Sequence, residues 1–175
     1  MTWPGVGRGE EAVDSKRLAA ALCEGLGGRA VSCEVAGAAF AWRPHDQRLI
    51  ARAPSAPHVL PDGRLVVFHG WIDNAPELAD ELGEQPGVPA DPARLYGVAL
   101  LRWGDQADLK IIGEYCAIVV DPAAGHVRLS RSPLRAPPLL YAANGTTVAA
   151  ASVPRAIFAA GFPKVLNEDR VADTP

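Results

Sequence analysis

Residues 57–68 read PHVLPDGRLVVF, and this stretch decides how the middle of the chain folds. A short apolar run, a Pro-Asp-Gly turn at 61–63 and a second run rich in β-branched residues follow one another, a pattern typical of a β-hairpin. The period then changes, because Asn74 can cap a helix, Pro76 fits its first turn and Gly83 can end it. The sequence therefore predicts a strand pair that leads into a helix.

Hairpins and helices alternate along the rest of the chain. Three further helices are predicted. The first starts at Asp14 and ends at Gly27-Gly28, the second starts after an Asp91 cap and ends at Trp103-Gly104, and the third covers 153–160. Predicted strands cover 31–42, 48–53, 114–120 and 126–130, and flank Asn144-Gly145. Because short hairpin turns impose antiparallel pairing, we expect an α+β fold with two antiparallel sheets and helices outside them.

Composition excludes several classes of protein. The chain has 175 residues, 49% of them hydrophobic and 21% charged, as expected for one soluble globular domain. A net charge of −3 leaves no basic surplus for nucleic acid. The four histidines and three widely separated cysteines lack metal-ligand spacing, so no metal site is predicted. No signal peptide or membrane-spanning stretch is evident, which favours a cytoplasmic protein.

Five segments, in order, carry a resemblance to a known family. Residues 68–74 read FHGWIDN and are followed by PEL at 76–78. They resemble the FNGEIYN…EL segment of class II glutamine amidotransferase domains, the N-terminal nucleophile (Ntn) domains of asparagine synthetases. The other segments are 91–104, similar to SDTE and a helix ending in WG; 112–117, similar to NGMFAF; 130–141, similar to ARDR…PLYY; and 150–156, similar to FASEIKA. The resemblance covers residues 68–161 well and the N-terminal third weakly.

This resemblance implies a fold and a chemistry. The fold is a four-layer αββα sandwich, in agreement with the predicted hairpins. The chemistry is glutamine hydrolysis by an N-terminal cysteine whose own amino group is the base, with an Asn and a Gly stabilising the oxyanion. We expect residues 1–163 to form this domain. Residues 164–175 are expected to begin the connection to a synthetase domain that the chain does not contain.

Most of the residues that carry out the chemistry in this family are different in the present sequence. Thr2 stands where the cysteine would follow the initiator Met, His69 stands for the oxyanion Asn, and Trp71 stands for the next Glu. Gly70 is kept. A threonine hydroxyl is far less ionised than a thiol at neutral pH, and an indole cannot replace a carboxylate. These changes predict a degenerate, vestigial glutamine site.

Two further positions concern recognition of the substrate. Pro92 stands for the Asp of SDTE that would hold the amino group of glutamine, and it has no carboxylate. Arg29 is the candidate match for the Arg that grips the substrate carboxylate, although Gly-Pro-Asp does not follow it. Since loss of a buried charge partner costs several kcal/mol of binding, recognition of glutamine is not expected.

The sequence therefore predicts a non-catalytic domain of an asparagine synthetase-related protein. The resemblance extends to degenerate domains of lasso-peptide cyclases and β-lactam synthetases, which implies a structural or peptide-holding role. It implies as partners a ligase domain that uses ATP and magnesium, and a precursor peptide, with no cofactor in this chain itself. Three alternatives stay open: an active Ntn amidohydrolase that uses Thr2, an asparagine synthetase-like amidotransferase with an altered site, and an unrelated α+β binding module.

Overall fold

The computed structural model describes residues 13–24, 28–43, 57–84, 91–133 and 136–165. Thr2 and the strand predicted over 48–53 lie outside these ranges. The strands are β1 Val31–Val35, β2 Ala38–Trp42, β3 His58–Val59, β4 Leu65–Ile72, β5 Gly113–Asp121, β6 His126–Arg131, β7 Leu140–Ala143 and β8 Val148–Ala151. The helices are α1 Ser15–Cys23, α2 Ala75–Leu82, α3 Pro92–Trp103, α4 Ala107–Lys110 and α5 Pro154–Ala159. Every strand pair in these ranges is antiparallel, which confirms the α+β prediction.

The largest sheet in the described residues has four strands in the order β3-β4-β5-β6. Its centre is the long pair of β4 and β5, in which Val67 lies opposite Ile118 and His69 opposite Cys116. The hairpin predicted over 57–68 is confirmed as β3 and β4, and its second strand extends to Ile72. This sheet positions the residues of the candidate site.

One face of the four-stranded sheet carries helices α2 and α3 and the main core. Helix α3 packs against β4, and α2 packs against α3. Three aromatic rings join these layers, with centroids 5.2 Å apart for Phe68 and Tyr115 and 5.8 Å apart for Phe68 and Tyr96. Gly97 of α3 lets Leu60 pack against the helix, because a Cβ there would lie 2.4 Å from the Leu60 Cδ2.

The second face of this sheet is also covered in part. Side chains alternate across a strand, so Leu65 and Cys116 point away from the helices. Both are nevertheless buried, at 1% and 6% exposure. A sandwich requires that both faces of the sheet are buried. The four-layer αββα order that the resemblance implies stays a prediction.

The other described elements form a second group. Helix α1 packs against β1, β2 and α5, and α5 packs against β7 and β8. The guanidinium of Arg155 in α5 donates to the main-chain carbonyl of Glu24, just after α1. Strands β1 and β2 pair only with each other in the described ranges, as do β7 and β8. None of the described helices has the length and apolar character needed to cross a bilayer.

Two predictions at the N-terminal side were wrong in detail. The stretch 31–42 is a hairpin and not one strand, because Ala36 and Gly37 turn the chain with φ values of +50° and +79°. Alanine rarely adopts a positive φ, so its identity did not signal the turn. Helix α1 has its predicted Asp14 cap, which accepts from the Lys16 N–H at 2.8 Å, but it ends at Cys23, before the predicted Gly27-Gly28.

Asn74 also differs from its prediction. It occupies the N-cap position of α2 but makes no capping hydrogen bond with its side chain. Its amide instead donates to the Lys110 carbonyl and accepts from the Ile112 N–H, both at 2.9 Å. This side chain therefore joins the start of α2 to the segment that follows α4, a helix that the sequence did not predict.

Candidate functional site

The second face of the four-stranded sheet changes character along its strands. Toward the end of the sheet at which β3 pairs with β4, this face is apolar. The side chains there are Leu65, Val67, Ile118, Val120, Val127 and Leu129. At the other end it becomes polar and aromatic, and we call this part the polar end. Its members are His69, Trp71, Glu114, Cys116 and Arg131. Polar groups that interrupt an apolar sheet face are informative about function, whereas isolated exposed apolar residues are not.

Three members of the polar end lie in one row across the sheet. His69 lies opposite Cys116, and Cys116 lies opposite Arg131. Burial raises the pKa of the Cys116 thiol to about 11, although the positive charge of Arg131 acts in the other direction. The thiol is therefore protonated at neutral pH, the form that is not nucleophilic.

The retained Gly70 has a steric explanation. Its φ is +122°, and a Cβ on it would lie 2.0 Å from the Glu114 carbonyl oxygen. Gly113 on the facing strand is just as tight, because a Cβ there would lie 2.2 Å from the Trp71 carbonyl oxygen. The two glycines let β4 and β5 approach closely beside the polar end, as glycines in strands often do.

The side chains next to Gly70 differ from the Asn and Glu that flank the glycine in the FNGEIYN segment it resembles. Trp71, which the resemblance aligns with a Glu, is 37% exposed and lies opposite Glu114 on β5. His69 is half-buried, and its ring can donate one hydrogen bond where an Asn amide would donate. The structure therefore brings His69, Gly70 and Trp71 together, as expected for consecutive residues of one strand.

The remaining predicted site residues lie elsewhere. Pro92 is the first residue of α3, the helix on the opposite face of the sheet, and it adds no carboxylate. Asp91, one residue earlier, does carry one, and it caps the helix by accepting from the Ala93 N–H at 3.1 Å. Arg29 is exposed and lies just before β1, in the second group of elements. Thr2 lies outside the described residues, so its position relative to Gly70 stays a prediction.

A comparison with protein families supports the resemblance at the level of a glutamine amidotransferase domain. A model of the glutamine amidotransferase domain matches residues 47–159, which is more than half of the chain. The chain belongs to this family. A comparison with curated proteins finds no match. The matched residues include the four-stranded sheet, α2, α3 and all of the polar end, so these elements lie within the glutamine amidotransferase domain.

Sequence reasoning missed a charged cluster on the helix-bearing face of this amidotransferase domain. The Asp108 carboxylate accepts hydrogen bonds from the hydroxyls of Tyr96, Tyr115 and Ser130, at 2.9, 3.2 and 2.9 Å. It also accepts from Arg128 Nη2 at 2.6 Å. No sequence pattern indicated this cluster, because Asp108 lies in α4 and its partners come from three other elements.

The cluster shifts the titration of its members. Burial raises the pKa of Asp108, but the hydrogen bonds from Arg128, Ser130 and Tyr96 outweigh burial and lower the pKa below its ordinary value. Burial, assisted by the negative charge of Asp108, raises the pKa of Tyr96 to about 12 and raises that of Tyr115 as well. At neutral pH the carboxylate is therefore ionised and both phenols are neutral. The cluster ties α3, α4, β5 and β6 together and lies on the face opposite the polar end, so we assign it to stability.

Proposed function

We propose that this glutamine amidotransferase domain is catalytically silent and serves an asparagine synthetase-related, ATP-dependent amide-forming protein. The parent protein would be of the isopeptide-forming, lasso-peptide cyclase type. In this proposal ATP and magnesium bind to the synthetase domain, and residues 164–175 begin the connection to it. The domain then supports the synthetase domain and holds part of the precursor peptide.

The polar end carries the proposal. Gly70 and Gly113 keep the strand geometry, yet the two side chains that flank Gly70 are His69 and Trp71 instead of the family's Asn and Glu. Oxyanion stabilisation depends on hydrogen-bond donors held in place, and recognition of glutamine depends on paired charges. In this proposal the strand geometry at Gly70 and Gly113 is retained, while the side chains that would recognise glutamine are replaced by His69 and Trp71.

A second candidate function rests on the same residues. A His69 ring N–H and the Gly70 main-chain N–H are both donors of the type that an oxyanion site uses. If Thr2 has a free amino group, its hydroxyl could act as the nucleophile of an Ntn amidohydrolase. This requires removal of Met1, which the intact mass of the purified protein measures directly. A retained Met1 excludes this candidate.

Glutamine binding distinguishes the first proposal from an altered but working amidotransferase. We expect millimolar glutamine to leave the amide and indole NMR signals of His69, Gly70 and Trp71 unchanged. The reason is that a buried polar ligand without its charge partners loses several kcal/mol of affinity. Glutamate and asparagine serve as matched ligands. Saturable shifts at these three residues with glutamine alone would contradict the proposal.

A further inference from the structure

The loop that joins β7 to β8 begins with Asn144 and Gly145, and both residues are exposed. The Asn144 N–H donates to the Thr147 carbonyl at 3.0 Å, which closes the loop between the two strands. Because glycine has no Cβ, the carboxamide of Asn144 lies next to a main-chain nitrogen that no side chain shields. Asparagine is among the chemically labile residues of proteins, so this pair is a candidate for a reaction within the chain.

The side chain of Asn144 is folded forward over Gly145. Its Oδ1 accepts from the Thr146 N–H at 3.0 Å and from the Thr147 N–H at 2.8 Å. A carboxamide that bonds to the N–H two residues further on forms an Asx turn, in which the side chain replaces a main-chain carbonyl. The hydrogen-bonded ring of this turn encloses the main chain of Gly145, so Cγ of Asn144 is held beside it.

The same hydrogen bonds polarise the carboxamide of Asn144. The Thr146 hydroxyl also donates to Oδ1, at 3.2 Å, so this oxygen accepts from three donors. Oδ1 is the atom that becomes negative when a nucleophile adds to Cγ. Donors that already point at a developing oxyanion lower the barrier to such an addition.

The nitrogen of Gly145 is available as the nucleophile. Within the part of the chain that the structure describes, its N–H takes part in no hydrogen bond. A Cβ added to Gly145 would have no neighbour within 4 Å. The loop therefore leaves open both the nitrogen and the space around it.

Two similar residue pairs lack this arrangement. Asp62 also precedes a glycine in an exposed turn, but the Gly63 N–H donates to the Leu60 carbonyl at 2.9 Å. The carboxylate of Asp62 is ionised at neutral pH and accepts a nucleophile poorly. The Asn74 amide is bound by two main-chain groups after α4, and Ala75 follows it as the first residue of α2.

We propose that Asn144 is a site of spontaneous deamidation through a cyclic imide with Gly145. The Gly145 nitrogen loses its proton to solvent and bonds to Cγ of Asn144. The Cγ–Nδ2 bond breaks, and the side-chain nitrogen takes up a proton and leaves as ammonia. Water then opens the imide. Cleavage of the new bond to Cγ gives aspartate at position 144, and cleavage of the bond to the main-chain carbonyl carbon gives isoaspartate.

Both products change the loop between β7 and β8. Aspartate adds a negative charge, whereas isoaspartate carries Cβ and Cγ of the former side chain in the main chain. In the isoaspartyl form the Thr146 and Thr147 N–H groups lose the acceptor that they share. The proposal does not depend on the proposed function, since it concerns only this loop.

Peptide mapping of the full chain by mass spectrometry, during incubation at mildly alkaline pH, is the first test. Trypsin releases residues 136–155, in which Asn144 is the only asparagine, and residues 65–94, in which Asn74 is the only one. We expect Asn144 to convert at least about tenfold faster than Asn74 and to give two products of equal mass, aspartyl and isoaspartyl. Conversion no faster than at Asn74, or an aspartyl product alone, would overturn the proposal.

Two substitutions test whether this loop directs the reaction. Gly145→Ala has open space for its Cβ, and we expect it to slow conversion of Asn144 at least about tenfold, because the methyl group hinders the nitrogen. Thr146→Val removes one donor to Oδ1 and should slow conversion by about threefold. A wild-type rate in either variant would overturn the proposal.

Discussion

Replacing Gly70 by alanine is expected to destabilise the domain by about 4 kcal/mol or more, which is close to the whole stability of many domains. The new Cβ would meet the Glu114 carbonyl oxygen at 2.0 Å and the Tyr115 Cα at 2.7 Å, both of them backbone atoms that cannot rotate away. The residue also has a φ of +122°, which alanine disfavours. Urea unfolding followed by circular dichroism measures the loss.

Gly145→Ala is the matched control for this substitution. Gly145 is exposed in the loop between β7 and β8, and an added Cβ would have no neighbour within 4 Å. We expect its effect to stay within about 0.5 kcal/mol. If Gly70→Ala were as mild as Gly145→Ala, the close approach of β4 and β5 would be wrong, and with it the explanation for the retained glycine.

Asp108→Ala is expected to lower the free energy of unfolding by about 3 kcal/mol at neutral pH. It removes the shared acceptor of Tyr96, Tyr115, Ser130 and Arg128, and it leaves the half-buried guanidinium without its inner partner. Asp105→Ala is the control, because Asp105 pairs with the same guanidinium from a side chain that is 88% exposed. Its effect should be about 0.5 kcal/mol or less. A loss for Asp108→Ala as small as the roughly 0.5 kcal/mol expected of an exposed ion pair would show that the cluster does not stabilise the fold.

The pH dependence of this effect has a definite sign. The pKa of Asp108 is lower in the folded state than in the unfolded chain, so the folded state favours the ionised form. The stabilisation is present above the unfolded pKa of about 3.9 and is lost as the pH falls through the folded pKa. We expect the stability difference between the wild type and Asp108→Ala to be constant near neutral pH and to shrink below about pH 4. A difference that grew on acidification would contradict this assignment.

Local signals in the sequence were sufficient for most of the individual elements. The Asp14 and Asp91 caps and the left-handed Gly83 act within one helical turn, so they are visible in the sequence. The hairpin of β3 and β4 depends on a Pro-Asp-Gly turn and was predicted for the same reason.

Features that depend on distant contacts were not visible. Asn74 is a good capping residue, but two main-chain groups at Lys110 and Ile112 bind its side chain instead. The turn at Ala36 needs a conformation that alanine disfavours, so only the paired strands impose it. Such outcomes follow from tertiary structure overriding local preference.

The candidate site was predictable in part. His69, Gly70 and Trp71 are consecutive in the chain, so it was predictable that they lie together. Cys116 and Arg131 join them only through strand register, which the sequence does not reveal. The grouping of strands across the second face likewise depends on long-range packing.

The release of glutamate from glutamine tests most directly whether this amidotransferase domain lacks glutaminase activity. The purified protein, with its N-terminal residue established by mass, is incubated with saturating glutamine beside a Thr2→Ala variant. Both proteins should release glutamate no faster than buffer alone. Turnover by the wild type that disappears in Thr2→Ala would contradict the account.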